Sequence, residues 1–423
     1  MNILIVGGGG REHTLAWKIK QSPACDLLYI APGNPGTASL GENIPISIQD
    51  FSSLETLIRT KKIALVLIGP EDPLVAGLTD FLESRFDENE LIVIGPTRIA
   101  AQLEGSKAFA KRFMEEWNIP TAKYHSFGQA ELTESLDYVN AMQVPIVVKA
   151  DGLAAGKGVS ICFSHQDAKK EVIAMLEGKF GSASQQVVLE EFLDGREFSV
   201  FVLTDGKEYK LLPVAKDYKK IGEHDTGPNT GGMGAVSPVS FVNKGMMDKV
   251  ITRIVEPTIL GLQSHQYKYH GFIFFGLIEV GGEPYVIEYN CRLGDPETEV
   301  IIPRLKNDLV ELLKATHEHR ISAIRIEEEE DAAVTVMLVS SGYPGTFEKS
   351  KEIKLPDSTP DSIVFHSGTT RDESGRLVTS GGRVMAITSL APTKEHALKR
   401  SYTTIDQIGF EGKVFRGDIG HDA

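Results

Sequence analysis

Three polar side chains alternate along one apolar stretch of the sequence, Val286-Ile287-Glu288-Tyr289-Asn290-Cys291-Arg292. Because the side chains of a strand alternate between its faces, Glu288, Asn290 and Arg292 are predicted to share one face. A carboxylate beside an amide oxygen suits Mg²⁺, and a nearby arginine suits a transferring phosphoryl group. The alternative is a solvent-exposed polar face. The continuation Leu293-Gly294-Asp295-Pro296-Glu297 argues for a site.

A glycine-rich segment, Lys149 to Val159, carries two lysines and three glycines. It resembles a Walker A loop, but one residue is missing between the glycines, and Gly158 stands where Ser or Thr would hold magnesium. A strand also follows it instead of a helix. We therefore interpret it as a hairpin whose glycines cover nucleotide phosphates while Lys149 points toward them. An ordinary glycine hairpin remains the alternative.

Four consecutive glycines, Gly7–Gly10, follow the first apolar strand and precede Arg11. Backbone N–H groups at such a helix start bind anions, so a phosphate held with Arg11 is expected here. A dinucleotide motif would need glycine where Glu12 stands, and an acid after the second strand, which ends in Ala31-Pro32-Gly33. NAD is therefore disfavoured, and a simple tight turn is the other interpretation.

Two further segments give weaker signals. The strand Val188 to Leu193, followed by Glu197, offers backbone groups for an adenine edge and a carboxylate for ribose hydroxyls, but it also fits an exposed acidic strand end. The cations of Lys216 to Lys220 precede the loop Asp225 to Gly234, which is rich in free backbone donors. This arrangement suggests phosphate or carboxylate binding, with a surface loop as the alternative.

Secondary-structure elements must position these segments. Over residues 1–96, strand-like and helix-like stretches alternate, which is typical of a doubly wound parallel sheet. Thr97 is predicted to cap one long helix that runs to Trp117. Hairpins are expected over 196–216 and 271–289, turning at Asp205-Gly206 and Gly281-Gly282. After an exposed acidic run at 327–331, a small α+β domain is predicted. Ligands of such parallel sheets bind at the carboxyl ends of the strands.

Composition limits the classes of function. A chain of 423 residues suggests about three domains. The net charge of −14 disfavours nucleic acid as a partner, and no apolar run is long enough to span a membrane. The three cysteines lack metal or disulfide spacing. With no recognisable signal peptide, these features indicate a cytoplasmic protein.

The glycine hairpin, the adenine-edge strand and Glu-x-Asn-x-Arg, in that order, resemble the ATP-grasp fold. A closer resemblance, over the whole chain, is to the phosphoribosylamine–glycine ligase family. Its motifs include Gly-Gly-Arg-Glu-His, Ala-Pro-Gly-Asn, Gln-Leu-Glu-Gly-Ser-Lys, Asp-Thr-Gly-Pro-Asn-Thr-Gly-Gly-Met-Gly and Arg-Leu-Gly-Asp-Pro-Glu-Thr. The chain differs from that family's frequent pattern at Tyr218, where His is common, and at Gly8, where Asn is common.

The resemblance implies that ATP, glycine and 5-phosphoribosylamine are converted to glycinamide ribonucleotide, ADP and phosphate through glycyl phosphate, in purine synthesis. It implies Mg²⁺ or Mn²⁺, and small-molecule partners without nucleic acid or membrane. A monomer with transient contacts to neighbouring enzymes of the pathway is expected. The implied domains are an N-terminal phosphoribosylamine-binding α/β domain (1–100), an ATP-grasp region (101–326) with a mobile lid subdomain (122–190), and a C-terminal α+β domain (327–423).

The resemblance also implies roles for individual residues. Arg292, Asp295 and Lys149 would be catalytic, and Glu288 and Asn290 would hold the metal. Contacts to ATP fall on Lys107, Lys149, Gly152, Gly156, Lys157, Gly158, Glu190, Glu191, Phe192, Leu193 and Glu197. Contacts to the other substrates fall on Gly9, Gly10, Arg11, Asn34, Gly69, Pro70, Glu71, Asp217, Lys219, Asn229, Gly231, Gly232 and Pro296. Two rival functions remain open: an ATP-grasp ligase for another acid and amine, and an NAD-dependent oxidoreductase.

Overall fold

The structure, a computed structural model that describes residues 1–154 and 157–423, begins with the predicted parallel sheet. Its five strands are β1 Asn2–Gly7, β2 Leu27–Pro32, β3 Glu42–Asn43, β4 Ile63–Ile68 and β5 Ile92–Ile94, in the order β3-β2-β1-β4-β5. Alternate residues of β1 enter two apolar clusters, so both faces of the sheet are covered. The strand order reverses between β1 and β4, which makes the carboxyl ends of these two strands the expected ligand-binding crevice.

Short helices link these strands: α1 Gly10–Ile19, α2 Phe51–Lys61, α3 Glu71–Ala76 and α4 Leu78–Glu83. The single long helix predicted from Thr97 to Trp117 is wrong. Two helices, α5 Gln102–Gly105 and α6 Lys107–Glu116, replace it. The extended backbone of Ser106 interrupts them, and its hydroxyl accepts the Phe109 N–H, so Ser106 is the cap that starts α6. The Thr97 hydroxyl instead donates to the Lys268 carbonyl.

A four-stranded antiparallel sheet contains the predicted glycine hairpin. Its elements are β6 Tyr124–Gly128, α7 Leu132–Ala141, β7 Ile146–Ala150, β8 Val159–Cys162, α8 His165–Leu176 and β9 Gln186–Glu191. Strand β7 pairs with both β8 and β9, so Lys149 lies beside Val188 on a central strand. Gly156 of the hairpin loop lies outside the described residues.

The next part of the chain builds a second antiparallel sheet and the strands that lead out of it. Its elements are β10 Arg196–Thr204, β11 Tyr209–Leu211, β12 Lys216–Asp217, β13 Lys220–Gly222, β14 Thr226–Asn229, β15 Gly234–Ser237, α9 Lys244–Val250, a π-helical segment Ile251–Val255, α10 Glu256–Ser264, β16 Gly271–Val280, β17 Glu283–Asn290, α11 Thr298–Arg304 and α12 Leu309–His317. The sheet order is β11-β10-β16-β17, and both predicted hairpins are present.

The C-terminal region has the expected mixture of strands and one helix: β18 Ala332–Ser340, β19 Ile363–His366, β20 Thr369–Arg371, β21 Leu377–Thr379, β22 Arg383–Ala391, α13 Lys394–Gln407 and β23 Lys413–Val414. Its main sheet, β12-β15-β18-β22-β19, takes two strands from residues 216–237. The segments next to Lys219 and Gly231 are therefore fixed to the C-terminal sheet. Within the described residues, no helix is long and apolar enough to cross a membrane.

A buried histidine pair joins the N-terminal sheet to the C-terminal one. The backbone N–H of His366 donates to Nδ1 of His13 at 2.8 Å, and both residues are buried. Burial, with a smaller effect of His366, lowers the pKa of His13 to about 3. His13 is therefore neutral in the folded protein at physiological pH, and it must gain a proton on unfolding in mild acid.

We expect the folded protein to lose stability between pH 7 and pH 5 because the unfolded state binds a proton that native His13 excludes. The loss attributable to His13 is about 2 kcal/mol. His13→Asn keeps an acceptor near the Nδ1 position without titrating, so it should reduce this loss, as measured by denaturant unfolding at both pH values. His125→Asn, at an exposed histidine, should retain the wild-type pH dependence. Equal pH dependence in wild type and His13→Asn would contradict the assignment.

Candidate active site

The metal-binding candidates lie on β17, where a β-bulge changes the expected alternation. Gly276 pairs with Glu288 and Leu277 with Val286, so Ile287 is the extra residue. Val286, instead of Ile287, joins Tyr289 and Cys291 in the apolar cluster. Glu288 and Asn290 stay out of this cluster, so the prediction that these two side chains share the other face of the strand is correct. The bulge also leaves the Ile287 carbonyl free to accept a hydrogen bond from Lys149 Nζ at 3.3 Å.

Glu288 and Asn290 suit a divalent cation. Asn290 is 7% exposed, and its amide nitrogen has no partner among the described residues. Glu288 makes no ion pair within the described chain and contributes negative charge near Lys107. A carboxylate and an amide oxygen that are not committed to other protein groups are the hard ligands that Mg²⁺ or Mn²⁺ prefers.

Two lysines form ion pairs with one buried carboxylate near Glu288 and Asn290. Glu190 is 3% exposed and lies 2.8 Å from Lys149 Nζ and 3.0 Å from Lys111 Nζ. Burial lowers the pKa of Lys111 to about 8 against the opposing effect of Glu190. Sequence reasoning missed Lys111. The available signal was its position four residues after Lys107, on the same face of α6.

The glycines of the β7–β8 hairpin are required by close packing. A Cβ at Gly152 would lie 2.8 Å from the Cα of Ala183, and one at Gly158 would lie 2.7 Å from the Cβ of Ala154. Lys107 Nζ donates to the Gly152 carbonyl at 3.1 Å, so the predicted phosphate-binding lysine touches the hairpin. Lys157 is exposed at its tip.

The adenosine candidates lie at the end of β9. Glu191 Oε1 accepts the Lys123 N–H at 2.9 Å, and the half-buried Phe192 and Leu193 follow the strand. Glu197 Oε2 lies 2.7 Å from Lys219 Nζ, which also approaches Asp217 at 3.1 Å. Lys219 lowers the pKa of Glu197. The predicted ribose carboxylate and the predicted substrate cluster are therefore neighbours.

The donors at the start of α1 are already occupied. Gly9 N–H donates to Glu12 Oε2 at 2.6 Å, Gly10 N–H to Ser367 Oγ at 3.0 Å, and Arg11 N–H to Asp295 Oδ2 at 3.3 Å. A phosphate that binds these three N–H groups must displace their present partners. Its binding there remains a prediction.

Two predicted substrate residues have side chains committed within the protein. Arg11 is 7% exposed, with Nε 2.6 Å from Glu12 Oε1 and Nη1 3.1 Å from the Leu293 carbonyl. Asn34 is 6% exposed, and its amide bridges the Gly8 and His366 carbonyls and the backbone of the next turn. Both side chains support the loop structure, and the predicted contact of Arg11 with a phosphate remains a prediction.

Arg292 lies between two carboxylates. Its Nε is 3.1 Å from Glu71 Oε2 and its Nη2 is 2.7 Å from Glu104 Oε1. Arg292 is the main cause that lowers the pKa of Glu71 to about 2, whereas burial raises the pKa of Glu104 to about 7. The ion pair with Glu71 joins the Gly69-Pro70-Glu71 turn after β4 to the end of β17. Glu104 was not predicted, because its partners are distant in sequence.

The C-terminal region closes the site through Arg383. Its Nη1 donates to the carbonyls of Gly231 and Asp295 at 2.5 and 2.6 Å, and its Nη2 lies 3.1 Å from Asp295 Oδ1. Gly232, at φ +118°, packs directly against Pro296, where a Cβ would overlap the proline ring. The structure thus brings Gly231, Gly232, Asp295 and Pro296 together. No local sequence pattern predicted that Arg383 or Ser367 would lie at this site.

Two positions at the edge of this cluster behave differently from the rest. Asn229 lies on the small β13–β14 hairpin, paired with Lys220, and is less closely integrated. Tyr218, at one departure from the family pattern, is buried in the C-terminal apolar cluster, and its hydroxyl donates to the exposed Asp422 at 2.9 Å. Tyr218 therefore has a packing role in this chain.

Sequence models of one family match nearly the whole chain. They are described as phosphoribosylglycinamide synthetase, with its N domain at residues 1–104, its ATP-grasp (A) domain at 105–298 and its C domain at 333–422. Biotin carboxylase from Campylobacter jejuni, at 15% identity and a TM-score of 0.72, shares the fold; it covers 98% of this chain and 92% of its own.

Closer relatives carry one name. A phosphoribosylamine–glycine ligase of Agrobacterium fabrum is 43% identical over 100% of this chain and 99% of its own. A phosphoribosylamine–glycine ligase of Vibrio cholerae is 45% identical over 100% of this chain and 98% of its own. The crystal structure of the Thermotoga maritima phosphoribosylamine–glycine ligase is 35% identical, with a TM-score of 0.85 over 99% of this chain and 100% of that one. On this evidence, joined to the convergence of the motifs on one cleft, the chain belongs to the phosphoribosylamine–glycine ligase family of ATP-grasp enzymes.

Proposed function

We infer that this protein is a carbon–nitrogen ligase that joins glycine to 5-phosphoribosylamine at the expense of ATP, in purine biosynthesis. The products are glycinamide ribonucleotide, ADP and phosphate, and glycyl phosphate is the intermediate. The observation that carries this inference is the full-length match to ligases of that name. The site adds two cation-lined regions, one at Lys107 and Lys149 and one around Lys219 and Arg383, which suit two anionic substrates.

The first half-reaction needs charge compensation and alignment. The glycine carboxylate attacks the γ-phosphorus, and the electron pair of the broken P–O bond leaves with ADP. We propose that Lys107 and Lys149 neutralise the ATP phosphates and that Arg292 steadies the transferred group. The partly exposed Arg292 is already held between Glu71 and Glu104, so its guanidinium is preorganised. A divalent cation held by Glu288 and Asn290 would supply further compensation of phosphate charge.

Adenosine binding is proposed for the end of β9 and its following hinge, from Glu190 to Leu193, with Glu197 toward the ribose. The support is positional: Glu190 already holds Lys149, so a nucleotide bound there has its phosphates beside that lysine. The glycine hairpin, including Gly152 and Gly158, would cover them. The predicted subdomain 122–190 contains this hairpin sheet, and its closure over ATP belongs to the proposal.

The acceptor amine is proposed to bind between the carboxyl ends of β1 and β4 and the Gly231–Gly232 segment. The support is that Arg383 and Asp295 hold these parts together at the strand-order reversal of the parallel sheet.

The three cysteines are free, as is usual in a reducing compartment, so a cytoplasmic location is proposed. A monomer that contacts neighbouring pathway enzymes transiently is likewise part of the proposal.

Full turnover should require both glycine and phosphoribosylamine, because acyl transfer consumes the intermediate that ATP generates. The measurement is ADP release with freshly made phosphoribosylamine, each substrate being omitted in turn. Replacing glycine by alanine is the matched control. Equal ADP release with alanine, or without any amine acceptor, would contradict the assigned substrates. It would favour a ligase for another acid and amine.

Glu288→Gln should lower kcat by at least about a hundredfold, since a misplaced cation no longer compensates the charge that develops on the phosphates. The thermal midpoint should hardly change, because Glu288 is only partly buried and a partly exposed carboxylate contributes little to stability. The matched control is Glu283→Gln on the same strand, where the carboxylate pairs with Lys249 and Arg253 instead. Its turnover should stay close to wild type. Near-normal turnover of Glu288→Gln at all Mg²⁺ concentrations would remove Glu288 from the site.

A further inference from the structure

A fully buried carboxyl group without partners lies behind the glycine loop. Glu299, at the start of α11, is 0% exposed, and neither of its carboxyl oxygens has a hydrogen-bond partner among the described residues. One oxygen faces Gly10, where an added Cβ would overlap it. An ionised carboxylate without partners would cost several kcal/mol in such a place. Complete burial therefore favours the neutral acid.

Three charged groups face Glu299 and act in opposite directions, because Asp295 disfavours its ionisation whereas Arg383 and Arg11 favour it. They are Asp295 from the preceding loop, Arg11 from α1 and Arg383 from β22. Burial, followed by the negative charge of Asp295, raises the pKa of Glu299 well above its ordinary value. Neither arginine forms an ion pair with Glu299, because Arg11 pairs with Glu12 and Arg383 with Asp295.

Asp295 has the opposite environment. Its carboxylate accepts the Arg11 N–H at the start of α1 and lies 3.1 Å from Arg383 Nη2. Its Oδ1 is buried, but the side chain as a whole is 12% exposed, whereas Glu299 is 0% exposed. Of these two adjacent carboxyls, Asp295 forms an ion pair with Arg383, whereas Glu299 forms none among the described residues.

We propose that Asp295 is the base that removes a proton from the ribosylamine nitrogen during acyl transfer, and that Glu299 is the positioning residue behind it. The nitrogen lone pair forms the C–N bond to the glycyl carbonyl carbon, and one N–H bond gives its proton to an Asp295 oxygen. The C–O electron pair leaves with the phosphate, which then takes that proton from Asp295. The carboxyl pair thus returns to its starting state, and no further reactant is needed.

Glu299 acts through its neutrality. As an uncharged acid it fills the space between Gly10 and Asp295 without repelling the Asp295 carboxylate from Arg383. When Glu299 loses its proton at high pH, two negative charges adjoin and Asp295 is displaced. The proposal rests on the proposed function, because the acceptor amine is the one named there.

The first test separates the two half-reactions with hydroxylamine, which is unprotonated at neutral pH and attacks acyl phosphates without a base. Asp295→Asn should lower the formation of glycinamide ribonucleotide by about a hundredfold or more, while glycyl hydroxamate formation stays within about threefold of wild type. The control is Asp248→Asn at an exposed site on α9, which should leave both rates unchanged.

The outcomes of this test are distinct. An equal fall in both products would place Asp295 in phosphoryl transfer or folding and overturn the proposal, as would an undiminished ribonucleotide rate. Absence of glycine-dependent hydroxamate from the wild-type enzyme would instead be a failure of the proposed function.

The second test addresses Glu299 through pH. Glu299→Gln keeps a neutral side chain of the same shape, so it should retain the wild-type rate at pH 7 within about threefold. Glu299→Ala should lose far more. As pH rises, kcat of the wild type should fall when Glu299 ionises, and kcat of Glu299→Gln should not show this fall. Parallel pH profiles, or a Gln variant as damaged as Asp295→Asn, would overturn the role.

A stability readout is independent of activity. The unfolded chain releases the Glu299 proton at an ordinary carboxyl pKa, whereas the folded chain keeps it, so wild type loses stability relative to Glu299→Gln as pH rises from 5 to 8. The Tm of wild type should therefore fall relative to that of Glu299→Gln over this range. Glu373→Gln, at an exposed turn, should show no such trend. A Tm difference independent of pH would mean that Glu299 is ionised throughout and would contradict the proposal.

Discussion

The carboxylate of Asp295 is the point at which three distant parts of the chain meet. The Arg11 N–H comes from α1, the helix after the first strand of the parallel sheet. Arg383 comes from the C-terminal sheet, and Asp295 itself follows β17. Arg383 also donates to the Gly231 carbonyl, so the glycine segment before β15 is held by the same group. A buried arginine must be compensated, and here the compensation fixes the geometry of the cleft.

The same requirement organises the rest of the site. Arg292 is compensated by Glu71 and Glu104, and Glu190 is compensated by Lys111 and Lys149. Each pairing joins elements that are separate in sequence, so the charges proposed to bind substrates also hold these elements together. The enzyme needs no protein nucleophile. Its contribution is a set of preorganised charges around two anionic substrates, which is the form of catalysis that phosphoryl and acyl transfer favour.

The repeated local patterns of the chain could be predicted from sequence. The parallel sheet, the hairpins and the alternation at Glu288 and Asn290 follow from periodicity and glycine placement. The helix break at Ser106 and the bulge at Ile287 were not visible, because capping and close packing decided them. Lys111, Glu104, Arg383 and Ser367 could not be assigned, since only the fold brings them to the cleft. The sequence pattern also could not predict that side chains accept hydrogen bonds from the backbone N–H groups at the start of α1.

The central claim is that ATP activates glycine by phosphorylating its carboxylate. It is tested most directly with glycine labelled with ¹⁸O in both carboxylate oxygens, followed by mass spectrometry of the phosphate released in turnover. The account predicts one ¹⁸O atom in each phosphate, because the oxygen that attacks the γ-phosphorus leaves with it when the amine displaces it. Released phosphate without ¹⁸O, formed in amounts equal to the glycinamide ribonucleotide, would contradict the account.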